Sequence, residues 1–275
     1  MSMKKSQIIF LVAGVVLISV LFSLPMVVVE NNGGDEDMAM EEDDLGSPFS
    51  ENQHNSALTP EAQAAISRLK GEMSAEEDKE KFATFADSTA AVFVKGGKLD
   101  SAAYYYGLAA DNVPNLANLE KAGNAYYEAF GFSMDDNKTS RLASKTRTYL
   151  NKVLEEDPSR LDLKTKVAMT YVSSSNPMQG ITMLRDILEQ DPTNEEALFN
   201  MGILSMQTGQ YKRAAERFEE LVRHHPDNTQ GQFYLGVSYF ESNQKSKAKK
   251  QFEALREDTD DEQILAGVEN YLERL

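Results

Sequence analysis

Residues 195–228 read EEALFNMGILSMQTGQYKRAAERFEELVRHHPDN, and this stretch decides the fold. Apolar residues recur three or four positions apart in two runs, which Gly209 separates. This spacing predicts two amphipathic helices, because residues three and four apart share one helix face. Pro226 ends the second helix, since proline removes a backbone donor. A helix pair of 34 residues cannot bury its own apolar faces, so the stretch predicts a stack of such units.

The same pattern recurs along the chain. Pro158, Pro192 and Pro226 lie 34 residues apart from one another. Small residues, which let two helices approach closely, mark the first helix of each unit: Ala90, Gly123, Ala168, Gly202 and Gly236. Four of the five second helices carry a small residue followed, four positions later, by a ring or a leucine: Ala102, Gly180, Ala214 and Ala248. The regular spacing predicts helix pairs stacked in register.

The pattern resembles that of the tetratricopeptide-repeat (TPR) proteins, whose units read aromatic-x2-Leu-Gly-x2-Tyr, then Ala-x3-Phe, then Pro. The matching residues of the opening stretch are Leu198, Met201, Gly202, Ser205, Ala214, Phe218 and Pro226. The resemblance covers about residues 83–262 and extends to bacterial membrane-anchored TPR proteins of the cell envelope. It implies an all-α fold: a right-handed superhelical solenoid of about five repeats with capping helices at both ends.

Repeat boundaries follow from this period. The five repeats are predicted at about residues 83–116, 117–160, 161–194, 195–228 and 229–262. Repeat two is longer, because Gly123 and Pro158 are 35 residues apart whereas Gly202 and Pro226 are 24 apart. The difference of about 11 residues equals roughly three helical turns and predicts an elongated hairpin around residues 131–141 that projects from one edge.

Capping helices are predicted on both sides of the array. N-terminal capping helices occupy residues 59–82, where Thr59 and Pro60 have the features of a helix start. Ser74 and Glu77 form a capping-box pattern that predicts a second helix start. A terminal capping helix is predicted over residues 261–275, with apolar side chains on one face.

An apolar segment precedes the soluble part of the chain. Residues 8–29 contain no charge, and 22 residues suffice to cross a bilayer core of about 30 Å. A cleaved signal peptide is the alternative, but its apolar core is usually about 7–15 residues and ends at a small-residue site. Lys4 and Lys5 lie in a short basic tail, residues 1–7, and no further cation occurs before Arg68. The charge asymmetry predicts a single-pass anchor with a cytoplasmic N-terminus. In a bacterium, the repeats would then be periplasmic and the anchor would lie in the inner membrane.

Residues 30–58 carry nine acidic residues and no Lys or Arg. Such a composition cannot bury enough apolar surface to fold, so it predicts an acidic disordered tether. The chain's net charge of −16 argues against a nucleic-acid binder. The chain has no cysteine, which excludes disulfides, zinc–thiolate sites and a cysteine nucleophile.

No catalytic pattern is found. The three histidines are His54 and the neighbours His224 and His225, and adjacent helical residues point too far apart to chelate one metal. No phosphate-binding glycine loop occurs, and no serine triad is supported. The sequence predicts a non-enzyme with no cofactor, metal site or small-molecule substrate.

The resemblance implies that the first helices line a concave groove that binds peptides. The apolar residues at its groove positions are the candidate site: Met169, Val172, Phe199, Ile203, Met206, Phe233, Val237 and Phe240. Methionine and phenylalanine suit adaptable apolar surfaces, which predicts an amphipathic helix or extended peptide as the ligand. The cations of carboxylate-clamp TPR proteins are missing here. The alternative is that these residues pack against the next repeat or under the terminal helix.

Three functions remain open. The first is a membrane-tethered adaptor or scaffold that binds segments of partner proteins on the periplasmic side. The second is a chaperone-like holder of unfolded envelope clients, similar to the TPR subunits of cytochrome c maturation. The third is a repeat protein that acts through self-association. The sequence does not decide the oligomeric state.

Overall fold

The computed structural model describes residues 57–275, which form twelve α-helices and no strand. The predicted basic tail, membrane anchor and nearly all of the acidic tether lie outside the described residues. Within residues 57–275, no helix combines the length and apolarity that crossing a bilayer requires. The helices are α1 (Pro60–Ser74), α2 (Lys79–Lys95), α3 (Leu99–Asn112), α4 (Leu116–Gly131), α5 (Asp136–Glu156), α6 (Leu161–Val172), α7 (Pro177–Gln190), α8 (Glu195–Gln207), α9 (Tyr211–His224), α10 (Thr229–Glu241), α11 (Lys245–Asp258) and α12 (Glu262–Glu273).

Ten of these helices form five consecutive pairs. The pairs are α2 with α3, α4 with α5, α6 with α7, α8 with α9 and α10 with α11, and each packs against the next along the chain. The helix α1 packs on α2, and α12 packs on α11 and α10. The predicted all-α fold, with one helix pair per repeat, is confirmed.

Glycines in the first helices allow the paired helices to approach closely. A Cβ atom added to Gly202 would lie 2.5 Å from the ring of Phe218, and one added to Gly236 would lie 2.5 Å from that of Phe252. Both rings are fully buried. The small residue that recurs in the first helices therefore contacts the ring that recurs in the second helices. This contact occurs within repeat four and again within repeat five.

The extra residues of repeat two lengthen both of its helices. The helix α4 has 16 residues and α5 has 21, compared with 13 in α8 and 14 in α9. The four-residue connection 132–135 joins them at the tip. Near this tip, Lys138 forms an ion pair with Asp100 of repeat one. The elongated pair is thus also held by the preceding repeat.

The start of repeat one differs from the expectation. Thr59 caps α1 as predicted, by accepting a hydrogen bond from the amide of Ala62 at 3.2 Å. The predicted second start at Ser74 is wrong, because this residue ends α1 and its hydroxyl donates to the carbonyl of Gly71. Asp78 caps the next helix by accepting from two amides, so α2 begins at Lys79 instead of residue 83. An ionised carboxylate is a strong acceptor for helix N-terminal amides.

Candidate partner-binding face

The first helices of the repeats lie side by side. Lys121 of α4 bonds to Asp87 of α2 at 2.6 Å, and Lys166 of α6 bonds to Asn124 of α4 at 2.7 Å. Farther along, α8 and α10 are linked by a hydrogen bond between Glu195 and Asn228, the N-cap of α10. We call the surface formed by α2, α4, α6, α8 and α10 the first-helix face.

One half of this face carries a network of charges centred on Arg160. Its guanidinium donates two hydrogen bonds to Glu120, at 2.7 and 3.0 Å, and two to Asp162, at 2.8 and 2.9 Å. These hydrogen bonds hold the pKa of both carboxyls below its ordinary value. The planar guanidinium fits two carboxylates at once, so Arg160 fixes the position of α4 relative to α6.

Glu196 of α8 lies on the same face but outside the Arg160 network. It makes no ion pair with another residue of the range 57–275. The residue is exposed to solvent, but the surrounding protein partly desolvates its carboxyl group. This desolvation raises the pKa of the carboxyl. The carboxylates of Asp162 and Glu195 add to this rise, and Lys166 opposes it. A desolvated carboxylate without a salt bridge is suited to bind a cationic group of a ligand.

The apolar candidates on α8 are half-buried. The ring of Phe199 lies edge-on to Phe218 and Tyr234, with centroids 5.9 and 5.8 Å away. Ile203 and Met206 pack against the same core, and all three keep part of their surface exposed. These side chains therefore offer an apolar strip next to Glu196 on the same helix.

The two candidates on α6 have different surroundings. Met169 is half-buried against the core of repeats three and four. Val172 packs toward α7, because a Cβ added to Gly180 would lie 2.7 Å from a Val172 methyl group. Of the two, Met169 packs against a core cluster to which α8 also contributes, through Met201.

At repeat five the terminal helix contacts two of the candidate residues. The rings of Phe233 and Phe240 lie 6.0 and 5.2 Å from the ring of Tyr271 of α12. Val237 is only 5% exposed and belongs to the core. Phe233 and Phe240 also keep part of their surface exposed, and the groove role of these three residues stays a prediction. The helix α12 approaches closely because Gly267 faces Phe233.

Sequence reasoning missed the Arg160 network. Glu120 and Arg160 are 40 residues apart, and neither lies on an apolar stripe. It also missed a contact of Arg147, whose guanidinium lies 4.7 Å from the ring centroid of Tyr171 and 3.3 Å from the carbonyl oxygen of Thr170. No periodic signal marks such pairs, because polar residues on helix surfaces are common in any sequence.

One residue of the histidine pair, His225, links two helices. His225 Nε2 donates to the carbonyl of Thr193 at 2.7 Å, and Nδ1 lies 3.5 Å from a carboxylate oxygen of Glu195. These contacts tie the end of α9 to the start of α8. In the range 57–275, no group of three or more His, Asp or Glu side chains is arranged to hold a metal ion.

The sequence matches one family of known proteins. The family described as "Surface lipoprotein assembly modifier, N-terminal TPR repeats" matches residues 149–252, from the middle of α5 to the middle of α11. No curated protein matches the chain significantly. The matched residues include all eight candidate groove residues, from Met169 to Phe240.

Solved structures share the fold. A TPR protein from Parabacteroides merdae ATCC 43184 is 19% identical, with a TM-score of 0.57 over 78% of this chain and 79% of that one. A thermophilic TPR protein from Thermus thermophilus is 13% identical, with a TM-score of 0.50 over 70% of this chain and all of that one. At such identities the likeness shows the fold alone, which is a solenoid of helix pairs.

Proposed function

We propose that this chain, which is a tetratricopeptide-repeat protein, is an adaptor that binds a segment of a partner protein on its first-helix face. One observation carries the proposal. The amphipathic helix α12 of the chain itself packs on α10 through Phe233 and Phe240. The face therefore accepts an apolar helix at repeat five, and chemically similar side chains remain accessible at repeats three and four.

The exposed part of the face defines the chemistry of the partner segment. Phe199, Ile203 and Met206 favour aliphatic or aromatic side chains, which gain free energy by leaving water. Glu196, next to this strip, favours a Lys or Arg side chain, because an incoming cation would compensate its desolvated charge. The proposed ligand is an amphipathic segment with apolar residues on one side and a cation at one end.

The location is part of the proposal. The uncharged residues 8–29 favour a single-pass anchor, and the acidic residues 30–58 favour a solvated tether between anchor and repeats. The charge asymmetry supports a cytoplasmic N-terminus and a periplasmic repeat array. The name of the matching family refers to surface lipoproteins, which also favours the cell envelope. We propose an inner-membrane adaptor without enzymatic activity.

Site-specific photocrosslinking in intact cells tests this function. A photoreactive phenylalanine analogue replaces Met206 in the full chain, and a matched variant carries it at the exposed Lys250 on the second helix of repeat five. We expect discrete protein adducts from position 206 that Glu196→Lys removes, with none from position 250. Identical adducts from both positions, or adducts unaffected by Glu196→Lys, would contradict the proposal.

The adduct pattern also separates the two binding functions. A scaffold yields one or a few proteins in stoichiometric amounts, whereas a holder of unfolded clients yields many proteins at low occupancy. The half-buried strip favours the scaffold. Side chains already fixed by a packed core bind a defined segment at a lower entropic cost than a succession of different chains.

A further inference from the structure

The connection between α4 and α5 exposes two large apolar side chains at the tip of the longest helix pair. Phe132 is 58% exposed and Met134 is 71% exposed. These are the highest exposures of any large apolar side chain in residues 57–275. Two such neighbours in one short connection form a concentrated apolar feature, whereas the other exposed apolar residues are scattered. We call residues 132–136 the tip.

Hydrogen bonds hold the tip in one conformation. The hydroxyl of Thr139 lies 2.7 Å from the carbonyl oxygen of Asp135 and 2.9 Å from the hydroxyl of Ser133. Asp135 accepts a hydrogen bond from the amide of Lys138 at 2.6 Å. Met134 is therefore presented on an ordered loop, which lowers the entropic cost of docking it elsewhere.

A shallow cavity lies at the turns of repeats four and five. It has a volume of about 480 Å³, and its lining includes Gly209, Tyr211, Lys212 and Arg213. No atom lies within 4 Å of the place where a Cβ of Gly209 would be, so the cavity is open there. Its size is sufficient for an apolar side chain, and Tyr211 supplies an aromatic wall. We call this feature the turn cavity.

The turn cavity is positively charged. The first turn of α9 carries Lys212 and Arg213 and no acid, although the positive end of a helix dipole favours acids there. The first turn of α11, which follows the next turn of this edge, likewise contains Lys245 and no acid. Neither Lys212 nor Lys245 makes an ion pair with another residue of the range 57–275. Glu241 is the one acidic residue in the lining.

We propose that the tip of one copy docks in the turn cavity of a second copy of this chain. Met134 enters the cavity beside Tyr211, a contact that sulfur and an aromatic ring favour. Asp135 and Asp136 then face Lys212 and Arg213, so that the charges of the two surfaces are complementary. Asp135 alone caps α5, so Asp136 is not needed for that role.

Twofold symmetry limits the proposed assembly to two copies. The tip and the turn cavity both lie where the first helix of a repeat turns into the second, which is the same edge of the array. A twofold axis between two copies therefore forms both contacts at once and closes the assembly as a dimer. The dimer uses none of the apolar candidates of the first-helix face, so it is compatible with partner binding.

Disulfide trapping tests the contact directly, because the chain has no cysteine of its own. The full chain in detergent micelles carries either Met134→Cys or Gln210→Cys, and the two variants are mixed under mild oxidation. We expect the mixed disulfide to form about tenfold faster than in a control mixture of Met134→Cys with Met178→Cys, since docking raises the effective concentration of the two thiols. Equal rates in the two mixtures would overturn the proposal.

A charge exchange provides the second test. Lys212→Glu with Arg213→Glu makes the turn cavity acidic, and Asp136→Lys with Asn137→Lys makes the end of the tip and the residue after it basic while keeping the cap Asp135. We expect each double variant to be monomeric by sedimentation velocity, with unchanged helix content. An equimolar mixture of the two restores the dimer, because each tip then meets a cavity of opposite charge. Variants that dimerise like the unchanged chain, or a mixture that stays monomeric, would refute the contact without affecting the partner-binding face.

Discussion

The ring of Tyr271 stacks on the ring of Phe252, with centroids 5.2 Å apart and an angle of 15° between their planes. Tyr271 thereby joins α12 to the buried ring that recurs in the second helices. The same tyrosine contacts Phe233 and Phe240 of α10. One side chain of the terminal helix thus contacts three aromatic rings of repeat five.

Replacement of Tyr271 by Ala should loosen α12. We expect the free energy of unfolding to fall by about 2–3 kcal/mol, because a half-buried aromatic ring is lost and the rings of α10 become exposed. Thermal unfolding followed by circular dichroism measures this loss, and binding of a hydrophobic dye reports the exposure. Glu273→Ala, at an exposed position of the same helix, is the control and should change neither. An unchanged melting temperature for Tyr271→Ala would show that α12 does not stabilise repeat five.

A methyl group at Gly202 should be costly. The added Cβ would lie 2.5 Å from the buried ring of Phe218, so α8 and α9 must move apart. We expect Gly202→Ala to destabilise the protein by about 1–3 kcal/mol, as overpacking does. Chemical denaturation measures the difference.

Gly71→Ala is the matched control for this substitution. Nothing lies within 4 Å of the Cβ position of Gly71, which is inside α1. Because alanine favours the helix over glycine, we expect a gain of about 0.5–1 kcal/mol. Destabilisation by both substitutions would mean that close helix approach is not what requires Gly202.

The pH dependence should distinguish Glu196 from Glu120. The folded-state pKa of Glu196 is raised above its ordinary value of 4.5, so its ionised form destabilises the fold at neutral pH. Glu196→Gln should therefore raise the melting temperature at pH 7 and have no effect below about pH 4, where both states are protonated.

The ionised form of Glu120 should affect stability in the opposite direction to that of Glu196. The hydrogen bond from Arg160 lowers its pKa below 4.5, so its ionised form contributes stability that is present above pH 4.5 and is lost as the pH falls through the folded-state pKa. Glu120→Gln should lower the melting temperature at pH 7, and this deficit should shrink in acid. Melting curves of both variants from pH 3 to pH 8 test the pair, and shifts of the same sign at pH 7 would contradict the assigned surroundings.

Arg160→Lys should separate charge from geometry. Lysine keeps the positive charge but cannot donate in parallel to Glu120 and Asp162. Since the network is about one-third exposed, we expect a loss of about 1 kcal/mol in stability. Equilibrium denaturation measures it, with the exposed Arg68→Lys of α1 as the control. A loss no larger than that of the control would show that the fork geometry contributes nothing.

The fold was predictable because its central contact is local. Gly202 and Phe218 lie 16 residues apart, and the same spacing recurs in Gly236 and Phe252, so the period of the sequence reflects the packing itself. The candidate site was less predictable, because the accessibility of Phe233 depends on where α12 folds back. Nothing in the sequence around Phe233 differs in kind from that around Phe199, whose ring contacts Phe218 and Tyr234.

The terminal helix has a consequence for ligand length. A segment that follows the first-helix face from α6 along α8 meets α12 at repeat five and can extend no farther without displacing it. Displacement would forfeit the stacking of Tyr271 on Phe252. For the proposed ligand, we therefore expect the array to bind short segments in preference to longer apolar helices, which would suit an uncapped solenoid.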